Sequence, residues 1–423
     1  MDLFQKCRDF TKAKEAMAAG VYPYFHALES GQDTEVRMAG HRTIMLGSNN
    51  YLGLTSDPRV KKAAVEAVET FGSGCSGSRF LNGTLVLHVR LEEALARFLH
   101  KESALTFSTG FQSNLAIISA IAGRNDVILS DAMNHASIVD ACRLSFAKVL
   151  KYKHNDMADL ERHLANLASG DCGILIVTDG VFSMEGEICD LPGIVRLARK
   201  YGARILVDDA HGLGVLGKTG RGTAEHFGLE SEVDMIMNTF SKTLASLGGC
   251  VAASEEVIHY IKHNSRPFIF SASIPPANIA AAIESLRILE AEPWRVHRLN
   301  EIAAYMRAGF RRLGLPMHDS GNEIVPIIPI VTYDMERTLL VVKMLFDAGV
   351  YVNPVVPPAV PADYCLLRTS YTATHTDAQL DEALGIFAAV FQQLEAMGLA
   401  HRPHAEGHAH GHAHGEHGEH AAH

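Results

Sequence analysis

The sequence predicts an α/β protein, with a large domain built on a mostly parallel sheet flanked by helices and a smaller α+β domain after it. Three observations lead there. Short apolar runs alternate with amphipathic stretches through the middle of the chain. The apolar runs are continuous, not alternating, as in strands covered by helices on both faces. The residues with evident chemistry fall just past the ends of those runs, where parallel sheets hold their ligands.

Residues 1–50 read as an N-terminal arm, opening MDLFQKCRDFTKAKEAM, which mixes charge with apolar residues and has no signal-peptide core. The large domain takes 51–290. Asp57-Pro58 opens a helix with a cap and a first-turn proline, and Val60, Ala64, Val68 and Phe71 recur on one face. Strand-like runs follow at Ala104-Leu-Thr-Phe, Val127-Ile-Leu-Ser, Ile174-Leu-Ile-Val-Thr, Arg204-Ile-Leu-Val-Asp and Met235-Ile-Met-Asn. Ala277 to Glu290 reads as a long helix leaving this domain. Residues 291–398 mix helical patterns with apolar runs at 323–331 and 351–356, giving the smaller domain. From 399 to 423 the chain turns to low-complexity AEGHAHGHAHGEHGEH, expected to be a disordered, solvated tail and not a metal site.

The composition narrows the function. At 423 residues, with 20% charged residues and 47% in the apolar group, the chain has ample core material. A net charge of −10 without a basic stripe argues against nucleic-acid binding. No apolar run is long enough to span a bilayer, which leaves only peripheral membrane contact open. Seven scattered cysteines without CxxC spacing suggest reduced thiols and a cytoplasmic protein.

Four stretches supply complementary chemistry. Leu206-Val-Asp208-Asp209-Ala-His211 runs an apolar strand into two carboxylates and an imidazole, and a buried carboxylate needs a cation or donors. Thr239-Phe-Ser241-Lys242-Thr-Leu-Ala-Ser-Leu-Gly-Gly places one lysine among small and hydroxyl residues, where desolvation brings an amine toward the neutral form a Schiff base requires. Thr106-Phe-Ser-Thr-Gly110-Phe111-Gln-Ser-Asn turns a strand into a helix whose first amides can hold phosphate, and a plain capped helix start fits it equally. Asp131-Ala-Met-Asn-His135-Ala-Ser offers a flat ring. A lysine, an acid, a phosphate cradle and a flat partner together describe a site for pyridoxal 5'-phosphate. The rival fingerprint GxGxxG at 212–217 continues into Lys218-Thr-Gly-Arg-Gly, which no helix start tolerates, so a dinucleotide site is disfavoured. No His or Cys pair outside the tail has zinc-ligand spacing, so no metal is expected.

These residues lie in motifs that resemble the α-oxoamine synthases, fold-type I pyridoxal-phosphate enzymes. The similarity runs from Asp2 to about Leu399 and includes LGSNNYLGL (46–54), GSGCSGSRFLNGT (72–84), TDGVFSMEGEICDL (178–191), VDDAHGLGVLGKTGRG (207–222), FSASIPP (270–276) and LLRTSYTATHT (366–376). It implies that Lys242 carries the cofactor and removes the Cα proton of an amino acid. It implies that Asp208 pairs with the ring nitrogen, that His211 and Ser183 lie near the ring 3-oxygen, and that His135 stacks on the ring. Gly110, Phe111, Thr239 and Ser241 then hold the phosphate, Arg368 takes the substrate carboxylate, and Asn49 or Asn50 contacts substrate. A homodimer with shared sites is implied, FSASIPP reaching the partner's cofactor. Relatives often carry threonine at the position of Ala272, so Ser271 and Ser273 are the candidate contacts here. Residues 22–31, 76–88 and 349–376 look most like bacterial serine palmitoyltransferases. That branch condenses L-serine with palmitoyl-CoA, releasing CoA and carbon dioxide and giving 3-ketodihydrosphingosine. Glycine- or alanine-using siblings, such as 2-amino-3-ketobutyrate CoA ligase, 5-aminolevulinate synthase or 8-amino-7-oxononanoate synthase, are the alternative, and a catalytically idle binding subunit is a further one.

Overall fold

Pro58–Phe71 is a helix because Asp57 caps it, accepting from Arg59 N, and Pro58 fixes its first turn. Its inner face differs by one position from the expected one. Val68 is 42% exposed and Ala67 is buried, since Val60, Ala64, Ala67 and Phe71 keep closer to the 3.6-residue period. The computed structural model of which this helix is part describes residues 2–168 and 170–399. The histidine-rich stretch from 400 on lies outside the described residues.

Thirteen strands are present among the described residues. β1 (Glu35–Met38) and β2 (His41–Met45) form an antiparallel hairpin. The next seven are β3 (Ser103–Phe107), β4 (Asp126–Asp131), β5 (Lys148–Tyr152), β6 (Gly173–Asp179), β7 (Arg204–Asp208), β8 (Met235–Thr239) and β9 (Gly249–Ala253). They make one sheet in the order β3-β9-β8-β7-β6-β4-β5. The run from β8 to β5 is parallel, whereas β9 is antiparallel to both β8 and β3. The mostly parallel sheet is therefore as expected. β6, β7 and β8 are buried nearly throughout, which explains their uninterrupted apolar runs.

β10 (Ile327–Tyr333), β11 (Val350–Tyr351), β12 (Asn353–Val355) and β13 (Cys365–Ser370) follow. β13 lies between β10 and β12, antiparallel to both, and β11 pairs in parallel with β2. The N-terminal hairpin is thus hydrogen-bonded to the C-terminal part of the chain. One apolar core continues from Ile44 and Leu91 through Phe240 and Ile279 to Phe387.

The glycine-rich stretch after β7 forms turns, with no helix before Thr223. At Gly222 φ is +102°, and a Cβ there would lie 1.9 Å from Asp209 Oδ2. That oxygen instead accepts from Thr223 N at 2.7 Å, while Oδ1 accepts from Thr223 Oγ1 at 2.6 Å. Asp209 is thereby a turn-former, which burial pushes up to about 7.

Candidate active site

Parallel register sets the floor of the site. Asp179 at the tip of β6 stands beside Asp208 at the tip of β7, and both are buried. Two carboxylates so close repel, and burial comes on top. Burial first, and then Asp208, raise Asp179 well above the ordinary carboxylate range. Asp208 is held by donors: Ala210 N to Oδ1 at 3.0 Å, and Asn114 Nδ2 to Oδ2 at 2.7 Å. Asp179 Oδ2 accepts from His135 N at 2.9 Å, and Asp179 N donates to Asn134 Oδ1 at 2.9 Å. The β6 tip therefore holds the loop that carries His135.

His135 is the cap of the helix Ala136–Leu144, its Nδ1 accepting from Ser137 N at 3.2 Å. Ser137 Oγ lies 2.7 Å from the same nitrogen and receives a hydrogen from Asn114 Nδ2 at 2.8 Å, so its own hydrogen goes to the ring. Nδ1 is an acceptor, and the proton of the neutral ring sits on Nε2. Loss of water around the ring lowers the His135 pKa, with Lys242 pushing the same way against Asp208.

The helix Gly110–Ile121 begins beyond β3. Thr109 caps it by accepting from Gln112 N at 3.1 Å. The cap of the plain helix start is present, and it leaves the first-turn amides of Gly110 and Phe111 without an intrahelical acceptor, as an anion cradle would require. A Cβ on Gly110 would come within 2.5 Å of Thr239 Oγ1, which itself lies 3.1 Å from Ser241 Oγ. Glycine alone leaves this corner open between two amides and two hydroxyls.

These groups border one cavity of about 260 Å³, whose wall includes Gly110, His135, Asp208, His211, Thr239 and Lys242. Lys242 is pushed down to about 8, by burial first and by Arg368 second, against Asp208 and Asp179. The uncharged amine demanded by Schiff-base chemistry is thus within reach at neutral pH. His211 is buried and held well below its ordinary range by that burial and by the cations Lys242 and Arg368. Tyr51 Oη sits 2.6 Å from His211 Nδ1. Burial raises Tyr51 to about 12, so it stays a phenol and donates, leaving the His211 proton on Nε2.

Arg368 enters from β13. Its Nε donates to the Ser183 carbonyl at 2.6 Å and its Nη2 to Asn49 Oδ1 at 3.1 Å. Asn49 therefore faces this arginine, whereas Asn50 folds a turn, with Nδ2 on Thr55 Oγ1 at 2.6 Å and Oδ1 accepting from Leu54 N at 3.1 Å. Ser183 lines the cavity. Ser271 and Ser273 do not reach the cavity of their own chain. They border a separate small cleft with Arg79 and His88, and Ser273 Oγ donates to the Gly77 carbonyl at 3.0 Å. Among the described residues no three or more His, Cys, Asp or Glu side chains are arranged to hold a metal ion, and no helix there is long and apolar enough to cross a membrane.

The sequence reading passed over Asp179, Asn114, Asn134, Tyr51 and Ser137. Asp179 had a usable signal, since it ends an apolar strand as Asp208 does. Asn114 lies one turn inside its helix and Ser137 in the first turn of its own, where local pattern says nothing about what they face.

The donor set fits pyridoxal phosphate: an amine near neutrality, an anchored carboxylate, a flat ring and an open phosphate corner. The model for class I and II aminotransferases matches residues 42–387. A serine palmitoyltransferase of Bacteroides ovatus is 51% identical over 395 residues, which are 93% of this chain and 99% of that protein. An 8-amino-7-oxononanoate synthase of Thermoanaerobacter pseudethanolicus is 44% identical over 388 residues, 91% of this chain and 98% of its own. A solved structure of SPT with PLP internal aldimine superposes with a TM-score of 0.90 at 38% identity, over 94% of this chain and 100% of that one.

Proposed function

The chain belongs to the aminotransferase class I and II family, as a pyridoxal-phosphate-dependent α-oxoamine synthase of fold type I, and from that premise we propose that it condenses L-serine with palmitoyl-CoA to give 3-ketodihydrosphingosine, CoA and carbon dioxide. The observation that carries this reading is the meeting of Lys242, Asp208, His135 and His211 at one cavity, in a chain 51% identical to a serine palmitoyltransferase and 44% identical to an alanine-class sibling, 8-amino-7-oxononanoate synthase.

The cofactor, when bound, supplies an electron sink that makes the Cα proton of the amino acid removable. Lys242 is the residue for its covalent attachment and then the base for that proton, a task suited to an amine near neutrality. Asp208, fixed by Asn114 and Ala210, is the anion for the ring nitrogen. His135, with its proton on Nε2, would stack on the cofactor ring, and neutral His211 would be the donor for its 3-oxygen beside Ser183. The amides of Gly110 and Phe111, with Thr239 and Ser241, are the phosphate donors. Arg368 offers its planar fork to the serine carboxylate, with Asn49 beside it. The new carbon–carbon bond joins serine Cα to the thioester carbonyl carbon as the carbon–sulfur bond breaks, CoA leaves as thiolate, the serine carboxylate departs as carbon dioxide, and the electron pair left at Cα takes back the proton that Lys242 removed.

We infer further that two copies pair so that Ser271 and Ser273 of one serve the cavity of the other. The support is that both serines lie off their own cavity, with Phe270 beside them 79% exposed. All seven cysteines are free thiols, which supports a reducing cytoplasmic setting. The direct test offers serine, glycine, alanine and threonine against acetyl-, succinyl-, pimeloyl- and palmitoyl-CoA, with product mass measured. Serine with palmitoyl-CoA is expected to give the highest kcat/KM, and glycine or alanine prevailing would assign a sibling reaction.

A further inference from the structure

Beside the cavity, and lining none of it, lies a cluster of titratable side chains: Asp131, His154, Glu187, His318 and Tyr364. Its centre is Glu187, on a tight hairpin closed by pairing of Val181 with Ile188. Glu187 Oε2 is 2.8 Å from His154 Nε2, and Oε1 is 2.7 Å from His318 Nε2. His154 Nδ1 lies 2.9 Å from Asp131 Oδ1. With a carboxylate on each ring nitrogen, His154 donates from both and is an imidazolium. His318 Nδ1 continues the chain to Tyr364 Oη at 2.6 Å.

The hairpin is gripped elsewhere too. Asn322 Nδ2 donates to the Gly186 carbonyl at 2.9 Å, and a Cβ on Gly186 (φ +68°) would sit 2.6 Å from the Ile327 carbonyl oxygen. On this same hairpin the Ser183 carbonyl accepts from Arg368 Nε. Tyr364, at the far end of the cluster, immediately precedes β13, the strand that carries Arg368. Glu187 thus ties down both the carbonyl that orients the guanidinium and the start of the strand it grows from.

We propose that Glu187 is a positioning residue for the amino-acid carboxylate: bridging His154 and His318, it sets the Ser183 carbonyl against which Arg368 aims its fork. This rests on the reading of Arg368 as the carboxylate anchor. Groups one step removed from a binding residue typically change affinity 10- to 100-fold when lost, because they fix its orientation.

The experiment measures equilibrium binding of L-serine to the pyridoxal-phosphate holoenzyme by absorbance, without acyl-CoA, for the native protein, Glu187→Gln, Arg368→Lys and the double variant. Glu187→Gln is expected to weaken serine about 10-fold, by the range just given, and Arg368→Lys, which loses the bidentate fork on the carboxylate itself, about 100-fold. The double variant should be no more than about threefold worse than Arg368→Lys alone, since one residue acts through the other. In turnover, Glu187→Gln should raise KM for serine by the same factor, with kcat and KM for acyl-CoA within about twofold. Native-like serine affinity in Glu187→Gln overturns the proposal, as do two losses that multiply fully or a fall in kcat without a change in KM. Arg368→Lys binding serine normally would overturn the anchor assignment itself, and the proposal with it. If Glu187→Gln does not fold, His318→Gln removes one arm of the bridge and is expected to weaken serine in the same way.

Discussion

At the cavity, His135 and His211 are held below the ordinary imidazole range and Lys242 is brought down to about 8. A few residues along the fold, at the hairpin cluster, His154 is pushed up to about 10 and Glu187 is held below the usual carboxylate range. Both regions are largely buried, and burial alone disfavours every charge in them. The difference lies in partners. For His154, hydrogen bonds donated to Asp131 and Glu187 outweigh burial, and for Glu187 those accepted from the two imidazoles do the same. In the cavity, burial and then the cations Lys242 and Arg368 act against a charge on His211, and burial and then Asp208 act against one on Asp179. Balanced charges lock a shape, whereas unbalanced ones keep groups near their neutral forms, from which protons move readily.

The largest effect should come from the residue that this imbalance serves. Lys242→Ala is expected to lower aminoketone formation by at least about a thousandfold, as loss of a nucleophile and base together commonly does. Far-UV circular dichroism should be unchanged, since Lys242 lies in a bend between β8 and β9 and belongs to no helix or strand. Product mass at near-native rates from that variant would remove Lys242 from the chemistry, and the contrast between the two regions would lose its functional meaning.

Much of this arrangement was legible in the chain. β3, β4, β6, β7 and β8 were each visible as continuous apolar runs because each is buried on both faces. β5 was not: Lys148-Val-Leu-Lys-Tyr sits at the sheet edge with only Tyr152 buried, so it lacks that signature. β9 hid for a different reason. Its sequence, Gly249-Cys-Val-Ala-Ala, is small and adjoins the glycines of the lysine loop, and only its antiparallel place between β3 and β8 makes it a strand. Nothing local in 41–45 announces pairing with 350–351. In the site, the residues that do chemistry came forward because Lys, His and Asp are conspicuous in apolar company. The residues that aim them did not. Asn114, Tyr51 and Glu187 act on partners far away in sequence, at separations of 94, 160 and 131 residues.

A smaller effect, on stability, sharpens the other half of the comparison. Glu187→Gln leaves an imidazolium with one carboxylate in place of two, at an expected cost of about 2 kcal/mol, less than for a fully buried pair because the side chains keep some solvent. The pH dependence follows from the two shifts. His154 is raised from 6.5 to about 10, so its share of stability is complete below about 6.5 and is lost as pH rises through about 10. Glu187 is lowered from 4.5, so its share is present above about 4.5 and is lost as pH falls below that. The difference in urea midpoint between native protein and variant should therefore be widest between about pH 4.5 and 6.5 and should close by about pH 11. A difference that stays constant across that span would mean that packing, and not charge pairing, holds the hairpin.

The smallest effect is expected at Ser137, where the two regions differ in redundancy. At the hairpin each ring nitrogen of His154 has one carboxylate, and losing either changes its charge balance. At the cavity, His135 Nδ1 has two donors from one residue, the Ser137 hydroxyl at 2.7 Å and the Ser137 amide at 3.2 Å. Ser137→Ala removes the first and keeps the second, because a helix cap is made by backbone. The ring should keep its proton on Nε2, so kcat is expected to fall less than about threefold and serine affinity to stay as it was. Stability should drop by about 1 kcal/mol, since Asn114 loses an acceptor for one buried hydrogen while still donating to Asp208. A hundredfold loss of kcat in this variant would show that the hydroxyl, and not the helix terminus, orders the ring. The proton of His135 would then be set by a side-chain relay running back through Asn114 to Asp208.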